Sequence, residues 1–501
     1  MPTTLPTISA SDNSVIDEVL VLGFALDKKS KKFSILSGEL RVDQGPLLQA
    51  LTDLGASGAS DEVIKLPGSA SKLILLTALT PKADGSIAHE VLRRAAGAAA
   101  RSLAGTTSAT FALPQASKQD FQAIAEGALL GAYTFDEFRG SSKADRKPPL
   151  KKITIYTKKA KDKSFLQAIK RAEIIAKYTH LTRDLINTPP SHLTPDSFSL
   201  RFKKLAASLG VKVEILNETQ LIKGGYGGII GVGQGSANPP RLLRLSYSGK
   251  GAKKRYAFIG KGITFDTGGL ALKPAQGMEA MKSDMSGAAA VCAAVLAIAE
   301  LKLPINVDAW AALAENMVSD KATRPSDIIT IYGGKTVEVL NPDAEGRLVL
   351  ADAMVRAAEV GKKAGGLDGM VDVATLTGAQ VVALGTRTSA VMTNNESFRE
   401  QFLTLAEITG EAFWPMPLPE ELRASLDSPV ADMANIGDRM GGMLVAGLFL
   451  KDFVDSELPW LHLDIAGPAY NEAKAHGYTP VGGTGVALRT LVALAESSAA
   501  K

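Results

Sequence analysis

From about residue 190 to the C-terminus, short apolar runs alternate with longer helical patterns, and this alternation constrains the fold more than any other feature of the sequence. The runs predicted as strands are Tyr256–Ile259, Val307–Leu313, Met370–Leu376, Ser389–Met392 and Trp460–Asp464. The predicted helices are Ser286–Leu301, Leu348–Val360, Met443–Val454 and Thr484–Glu496. Such alternation favours a mostly parallel central sheet covered by helices, in which ligands bind at the carboxyl ends of the strands.

Residues 14–160 show a second, smaller α/β pattern. Its predicted strands are Val15–Leu22, Lys72–Leu79, Ala109–Leu113 and Ile153–Tyr156, and its predicted helices are Ile87–Leu103 and Lys118–Ala132. The polar stretch Gly140–Pro149 contains prolines and is predicted as a loop. We therefore expect an α/β protein of two domains, with the smaller domain at the N-terminus.

A long helical pattern without internal glycine or proline, Ser164–Ile186, separates the two regions. It ends before Asn187-Thr188-Pro189-Pro190, because proline lacks an amide hydrogen and restricts the residue before it. The predicted organisation is an N-terminal α/β domain over residues 1–163, a linker helix over residues 164–189 and a larger C-terminal domain over residues 190–501.

The composition excludes several classes of protein. With 46% hydrophobic and 22% charged residues, the 501-residue chain is not globally disordered. Its single cysteine, Cys292, excludes a disulfide scaffold and a cysteine-based zinc cluster, and with five histidines a metal site would depend on carboxylates. The longest apolar run, Ala288–Ala299, is shorter than the ~20 residues that span a bilayer, and Met1–Val15 has no signal-peptide pattern. We therefore expect a cytoplasmic protein without a membrane partner.

The positive charge is concentrated in the N-terminal region. The stretch Lys143–Lys163 carries nine basic and two acidic residues, and a second basic run covers Lys28–Lys32. Such runs are most often a solvated surface, but they also attract anionic partners such as DNA. A DNA-binding or architectural role of the N-terminal domain, as the main function or as a second role, is therefore the alternative, although the sequence has no visible recognition-helix motif.

The first chemically unusual stretch runs over residues 260–274 and continues through Lys282–Gly287. A predicted strand leads directly into it, so Lys261 and Asp266 are expected in a glycine-rich turn whose backbone can approach a ligand closely. Asp284 lies just before a predicted helix, where the first amides stabilise a carboxylate and where it can also serve as an N-cap.

The second stretch is Asn341-Pro342-Asp343-Ala344-Glu345-Gly346-Arg347-Leu348. Asp343 and Glu345 are two positions apart, so in an extended backbone their side chains face the same side. Two like charges held together cost energy unless a cation joins them, and Arg347 or a divalent metal ion can do so. Taken alone, such a pair is more often a solvated loop.

Four acidic residues thus lie at predicted strand-to-helix junctions of one domain: Asp266, Asp284, Asp343 and Glu345. Carboxylates that converge without a set of histidines suit Mg²⁺, Mn²⁺ or Zn²⁺. Bridging carboxylates can hold two such ions ~3.5–4 Å apart, and the ion pair activates a water molecule for hydrolysis. Lys261, Lys273 and Arg347 would add positive charge for an anion or an oxyanion.

These residues resemble the motifs of the leucyl aminopeptidases, the cytosol aminopeptidase family of two-metal exopeptidases. The family signature Asn-Thr-Asp-Ala-Glu-Gly-Arg-Leu matches residues 341–348 at seven of eight positions, with Pro342 in place of threonine. The resemblance extends from about Asn187 through the glycine-rich segment Gly224–Gly235 to the C-terminus. It implies that residues 190–501 form the catalytic domain of a metallopeptidase.

The resemblance implies five metal ligands for two divalent ions per subunit, Mn²⁺ or Zn²⁺. Asp266 and Glu345 would bridge the ions, Asp343 would bind one of them, and Lys261 and Asp284 would bind the other. A lysine ligand must be neutral, so burial and the neighbouring cations would have to depress the pKa of Lys261.

The resemblance also implies the reaction. Lys273 matches the lysine that polarises the scissile carbonyl or its oxyanion, and Arg347 matches the arginine that holds a bicarbonate ion, the proton relay. A metal-bridging water or hydroxide would attack, removing N-terminal residues, preferably Leu and other bulky apolar ones, from peptides with a free N-terminus. The family further implies a homohexamer, and Met278 with residues 375–378 are candidate walls of the substrate pocket.

Several features have simpler interpretations. Pro342 removes a backbone donor, so the loop is expected not to need that N–H. The hydroxyl of Ser286 is expected to cap the following helix. Residues 224–235 lack the Gly-Lys-Ser/Thr of a nucleotide loop. Cys292 lies in an apolar helix and is predicted to be core, and His462 is expected to be structural rather than a metal ligand.

Overall fold

The structure is a computed structural model that describes residues 4–13, 17–68 and 71–499. The chain divides into two compact units. The first comprises Met1–Leu181 with Glu472–Val481, and the second comprises Thr182–Asn471 with Gly482–Lys501.

The N-terminal unit contains a seven-stranded sheet within the described residues. Its strands are β1 (Thr7–Ser11), β2 (Val19–Asp27), β3 (Lys32–Leu36), β4 (Val63–Pro67), β5 (Leu73–Ala78), β6 (Ser108–Ala112) and β7 (Lys152–Tyr156), and the helices are α1 (Gly45–Asp53), α2 (His89–Ser102), α3 (Lys118–Gly131) and α4 (Lys163–Asn187). The strand order is β1-β7-β6-β2-β5-β4, with β3 paired to β2. All pairings are parallel except those of β3 with β2 and of β4 with β5.

Helices cover both faces of this sheet. Val19 and Val21 of β2 pack with α2, α3 and the first part of α4, whereas Leu20 and Leu22 pack with α1 on the other face. Because both faces are covered, the central strand is apolar along most of its length rather than alternating with polar residues. The N-terminal unit is therefore a layered α/β fold, as the sequence predicts.

The N-terminal unit also differs from the sequence prediction in detail. Residues 15 and 16 of the predicted strand Val15–Leu22 lie outside the described residues, and the observed strand covers Val19–Asp27. The predicted loop Gly140–Pro149 contains a short 3₁₀ helix, Ser141–Lys143.

The two compact units do not coincide with the predicted boundaries at residues 163/164 and 189/190. The division falls inside α4, after Leu181, and the distant segment Glu472–Val481 belongs to the N-terminal unit. Tyr478 explains this assignment, because it packs in the core of that unit and its hydroxyl donates to Glu90 at 2.9 Å.

The second unit is larger. Its strands are β8 (Lys212–Leu216), β9 (Arg241–Ser248), β10 (Arg255–Asp266), β11 (Asn306–Asn316), β12 (Asp327–Thr330), β13 (Thr336–Val339), β14 (Gly369–Ala374), β15 (Ser389–Thr393), β16 (Phe413–Pro415), β17 (Met433–Ala434), β18 (Trp460–Asp464), β19 (Tyr470–Asn471) and β20 (Gly482–Gly483). Its helices are α5 (Pro195–Ala206), α6 (Glu218–Gly224), α7 (Gly227–Gly233), α8 (Ser286–Glu300), α9 (Gly346–Lys363), α10 (Gly378–Leu384), α11 (Glu396–Thr409), α12 (Gly442–Lys451) and α13 (Leu488–Ala499). Two 3₁₀ helices cover Met278–Ser283 and Glu420–Leu426.

The main sheet of this unit has the order β16-β15-β18-β14-β10-β11-β9-β8. The pairs β10–β11, β10–β14, β14–β18 and β15–β16 are parallel, and the pairs of β9 with β11, β8 with β9, and β15 with β18 are antiparallel. The four central strands β18, β14, β10 and β11 therefore run in one direction, and their carboxyl ends meet at one edge. The predicted mostly parallel sheet covered by helices is confirmed.

The predicted glycine-rich turn after residue 259 is wrong, because β10 continues to Asp266. The glycines at 260 and 262 serve close packing instead: a Cβ on Gly260 would lie 2.4 Å from Cα of Ala288 in α8. On the opposite face of β10, Ile259 and Ile263 pack in the core with residues of α9 and α12. The strand is thus pressed between helices, and the absence of two side chains lets α8 approach its backbone.

The glycine-rich segment 224–235 has a similar role. It contains the last residue of α6, the whole of α7 and the turns beside α7, and a Cβ on Gly228 would lie 2.2 Å from the carbonyl oxygen of Leu348 in α9. The buried carboxylate of Asp352 in α9 accepts hydrogen bonds from the amides of Ile229 and Tyr332, each at 2.7 Å. These contacts fix α9, whose first turn contains the last three residues of the signature stretch.

One apolar segment, Met278–Glu300, is long enough to cross a membrane by length and composition, but 94% of its apolar window is buried inside the protein. Its helical part, α8, contains Cys292, which is fully buried as predicted and whose thiol pKa is raised by burial. This pattern is typical of a core helix.

Replacing Gly260 with alanine tests the close packing of α8 on β10. Because the new methyl group would overlap the backbone of α8, we expect the free energy of unfolding to fall by about 1–3 kcal/mol in urea titrations. Gly140→Ala is the matched control, since no atom lies within 4 Å of a Cβ built there. Equal stability of the two variants would contradict this account of the strand.

Candidate active site

The residues singled out in the sequence gather at the carboxyl edge of the central strands. Lys261 and Asp266 lie on β10, and Thr375 follows β14. Asp284 precedes α8, whose N-cap is Met285, and Glu345 is the N-cap residue of α9. Parallel strands bring these junctions together at one edge.

Three carboxylates form a tight group. One oxygen atom each from Asp266, Asp343 and Glu345 lie within 4.8 Å of one another, and Asp266 and Glu345 are buried. Asp284 stands apart from this group, on the other side of Lys261. The arrangement is therefore three clustered carboxylates and a fourth that a lysine separates from them.

Lys261 is at the centre of this arrangement. Its Nζ lies 2.8 Å from Asp284 Oδ1 and 2.8 Å from Glu345 Oε1, and it donates to the carbonyl oxygen of Thr375 at 2.8 Å. Burial disfavours the ammonium, but the charges of Asp284, Glu345 and Asp266 outweigh burial and hold the pKa of Lys261 above its ordinary value. With carboxylates alone around it, this lysine is charged.

Lys273 forms ion pairs with two carboxylates of the cluster. Its Nζ lies 2.8 Å from Asp266 Oδ2 and also contacts Asp343 Oδ1. Burial again acts against the ammonium, and the charges of Asp266 and Glu345 raise the pKa of Lys273 despite it. The two lysines together neutralise only half of the four carboxylates.

Burial and mutual repulsion disfavour the ionised form of these carboxylates. Burial is the main cause that raises the pKa of Asp284, Asp343 and Glu345, and the charge of Asp266 acts in the same direction on each. Asp284 Oδ1 accepts from the Thr375 hydroxyl at 2.8 Å, whereas Oδ2 has no hydrogen-bond partner among the described residues. The site therefore has more carboxylates than cationic side chains, and one carboxylate oxygen without a donor. Such a set of oxygen atoms suits divalent cations of the hard or borderline class.

The helix-cap interpretations of this region are wrong. The side chain of Asp284 is not the N-cap of α8, and the Ser286 hydroxyl donates to the carbonyl oxygen of Ser283 at 2.5 Å rather than capping the helix. A 3₁₀ helix immediately before α8 brings Ser283 under that hydroxyl. Asp284 is consequently free to face Lys261.

Arg347 lies behind the cluster. It is buried, its Nη1 donates to the carbonyl oxygen of Asn435 at 2.8 Å, and its guanidinium stands 5.9 Å from the ring centroid of Phe449. Burial lowers the pKa of Arg347 to about 10. Its Nε has no hydrogen-bond partner among the described residues, so one donor of a buried cation is unpaired.

A cavity of about 490 Å³ opens onto the cluster. Of the seven functional residues singled out in the sequence, six line it: Lys261, Asp266, Lys273, Asp284, Asp343 and Glu345. Arg347 is not among the lining residues. The candidate walls Met278 and residues 375–378 do line it, together with further apolar side chains: Met281, Val381 and Ala466.

Sequence reasoning missed the residues that hold the cavity walls. The carboxylate of Asp464 accepts from the Leu376 amide at 3.1 Å and from the Thr377 hydroxyl at 2.7 Å. Asp464 is the last residue of a predicted strand. An acidic residue at the carboxyl end of a strand could have indicated a residue of the site. His462, two positions earlier, is fully buried and hydrogen-bonded to Asp372 at 2.5 Å.

A mostly parallel α/β sheet with an acidic cluster at its carboxyl edge, open to a cavity and flanked by lysines, is an arrangement typical of metal-dependent hydrolases. Comparison with known proteins gives the family. Residues 180–492 match the catalytic domain of the cytosol aminopeptidase family, and residues 25–142 match the N-terminal domain of that family.

Similar proteins cover the whole chain. A probable cytosol aminopeptidase of Streptomyces avermitilis is 52% identical over 99% of both chains, and one of Streptomyces coelicolor is 50% identical over 99% of both. Among solved structures, the bottromycin maturation enzyme BotP in complex with Mn is 36% identical, with a TM-score of 0.84 over 96% of this chain and 99% of that one. The chain belongs to the cytosol aminopeptidase family and is a metal-dependent aminopeptidase, which confirms the predicted family and enzyme class.

The buried charge network makes a stability prediction. Lys261→Met removes the cation between Asp284 and Glu345, and we expect the metal-free protein to lose about 3–5 kcal/mol of unfolding free energy in urea, measured with a chelator present. Lys254→Met is the control, because Lys254 pairs with Asp368 at 2.7 Å at an exposed position, where such pairs contribute little. Equal losses in the two variants would show that the network does not depend on Lys261.

Proposed function

We propose that the cavity is the active site of an aminopeptidase that removes N-terminal residues, preferably Leu and other bulky apolar ones, from peptides with a free N-terminus. The observation that carries this proposal is the group of Asp266, Asp343 and Glu345 on a cavity of about 490 Å³. Family membership supports it. The apolar walls, including Met278, Met281 and Val381, support the preference for apolar first residues.

We propose that two divalent ions, Mn²⁺ or Zn²⁺, are held by Lys261, Asp266, Asp284, Asp343 and Glu345. The similar BotP structure contains Mn, which supports this choice. Bound there, the ion pair would activate water for hydrolysis and balance developing negative charge. The matching of each residue to a role in the family assigns Asp266 and Glu345 to both ions, Asp343 to one, and Lys261 with Asp284 to the other.

The remaining roles belong to cationic side chains. The ammonium of Lys273 faces the cavity and stabilises the oxyanion that forms at the scissile carbonyl. Arg347 is proposed to hold a bicarbonate ion, which would supply a proton acceptor, and the unpaired Nε of this buried guanidinium supports an anion beside it. The free α-amino group of a peptide would bind one of the ions through its nitrogen lone pair, which would restrict cleavage to the N-terminus.

Two properties of the assembly complete the proposal. We propose a homohexamer, as the family resemblance implies, and a cytoplasmic location, which the names of the similar cytosol aminopeptidases support. DNA binding by the basic N-terminal unit stays a prediction; the exposed positions of Lys143, Arg146 and Lys147 are compatible with it but do not favour it over a solvated surface.

Metal dependence and the need for a free amino group can be tested together. We expect the protein to hydrolyse Leu-p-nitroanilide, to lose this activity with a chelator, and to regain it with Mn²⁺ or Zn²⁺. N-acetyl-Leu-p-nitroanilide should not be hydrolysed, because acetylation removes the nitrogen lone pair with which the amino group would bind a metal ion. Equal turnover of the two substrates would contradict the proposed recognition of the amino group.

Replacing one carboxylate of the cluster should remove turnover without unfolding the protein. We expect Glu345→Gln to lower kcat at least ~100-fold, since even residues that only support metal ligands are worth about 10–100-fold. Glu411→Gln is the matched control, because Glu411 is also buried and accepts from Thr490 but lies outside the cavity lining. Full turnover of Glu345→Gln would show that the cluster is not the catalytic centre.

A further inference from the structure

Asn316 is a buried residue that contacts the acidic cluster from behind. It ends β11 and pairs with Asp266 at the end of β10, after an irregularity in the strand register. Its backbone oxygen accepts from the amide of Thr267 at 3.0 Å and from the hydroxyl of that residue at 2.9 Å. These two bonds fix the backbone of Asn316 against Thr267, the residue that follows Asp266.

The carboxamide of Asn316 joins two separate parts of the site. Its Nδ2 donates to Asp266 Oδ1 at 2.8 Å and to the carbonyl oxygen of Pro342 at 3.1 Å. A carboxylate oxygen and a carbonyl oxygen can only accept, so the nitrogen of the amide must face them. Its Oδ1 lies on the side of Gly269, where a Cβ would come within 2.9 Å of it.

The carboxylate of Asp266 is consequently held in one orientation. Oδ1 accepts from Asn316 and from the amide of Gly268 at 2.9 Å, while Oδ2 faces Lys273. On the other side of the bond, the acceptor is the carbonyl oxygen of Pro342, and Asp343 follows directly. The amide of Asn316 thus links Asp266 to the signature stretch from behind, while Lys273 contacts Asp266 and Asp343 from the cavity side.

A second buried asparagine shows what is particular to Asn316. Asn435 accepts from the amides of Leu340 and Asn341 and donates to the carbonyl oxygens of Asn341 and Ala344. It shapes the backbone of the signature stretch. Asn316 instead connects that stretch to a carboxylate on another strand.

We propose that Asn316 is a positioning residue for the cation site, acting through Asp266 and Pro342 rather than by touching substrate. The inference rests on the proposed function, because it assumes that Asp266 and Asp343 hold divalent ions. Its amide sets the carboxylate spacing before a cation arrives, so that binding does not have to reorganise two independent segments.

The test compares Mn²⁺ affinity, measured by competition with a chromogenic chelator, in Asn316→Asp and Asn316→Ala. Asn316→Asp keeps the shape of the side chain but turns an acceptor toward Asp266 and Pro342. We expect affinity to fall about 10–100-fold in both variants, with the metal-free proteins still folded by circular dichroism. Asn394→Ala is the control: its carboxamide bonds Leu458 and Trp460 at the opposite end of β18, and Mn²⁺ affinity should not change.

Mn²⁺ affinity in Asn316→Asp or Asn316→Ala equal to or tighter than that of the unaltered chain would overturn the inference. Unfolding of both variants, with Asn394→Ala folded, would also overturn it, because Asn316 would then act on the fold rather than on the site. If the unaltered chain bound no Mn²⁺ or Zn²⁺, the proposed function itself would fail together with this inference. These outcomes distinguish the two proposals.

Discussion

The repulsion among buried carboxylates at one edge of a sheet is the constraint on which the rest of this structure depends. Asp266, Asp284 and the pair Asp343 and Glu345 come from three separate parts of the chain, and burial is the main cause that raises the pKa of Asp284, Asp343 and Glu345. Two lysines offset part of this cost. The carboxylate charge that the lysines leave uncompensated would favour the binding of a divalent cation at this edge.

The scaffold that holds these side chains is built around β10. Glycines on one face let α8 pack against its backbone, which brings the start of that helix and Asp284 close to Lys261. On the other face, α9 is fixed by the glycine-rich segment and by Asp352. Both helix starts are thereby held at the same edge, where Asp284 precedes α8 and Glu345 precedes α9.

The sequence predicted much of this arrangement, because the period of its apolar residues and the pairing of its acidic residues are local signals. The parallel sheet, the helices α8 and α9, and the gathering of the acidic residues follow from such signals. Two kinds of feature could not be predicted. The extension of β10 to Asp266 escaped prediction because glycine usually marks a turn, whereas here it permits close packing.

The second kind is contact between distant residues. Asn316 and Asn435 are ordinary polar residues in the sequence, and only the fold brings their amides onto the signature stretch. The place of Tyr478 in the N-terminal unit has the same origin, since nothing in its neighbourhood in the sequence indicates a return to that unit. Residues that act through tertiary contact leave no periodic pattern.

The central claim is that these converging side chains form one site for a pair of cations. The most direct measurement is the number of Mn²⁺ or Zn²⁺ ions bound per chain, determined by equilibrium dialysis and elemental analysis. The account predicts two ions per chain in the unaltered protein and fewer than two after Asp266→Asn. A chain that binds no ion, or one whose two ions are unaffected by the loss of Asp266, would contradict it.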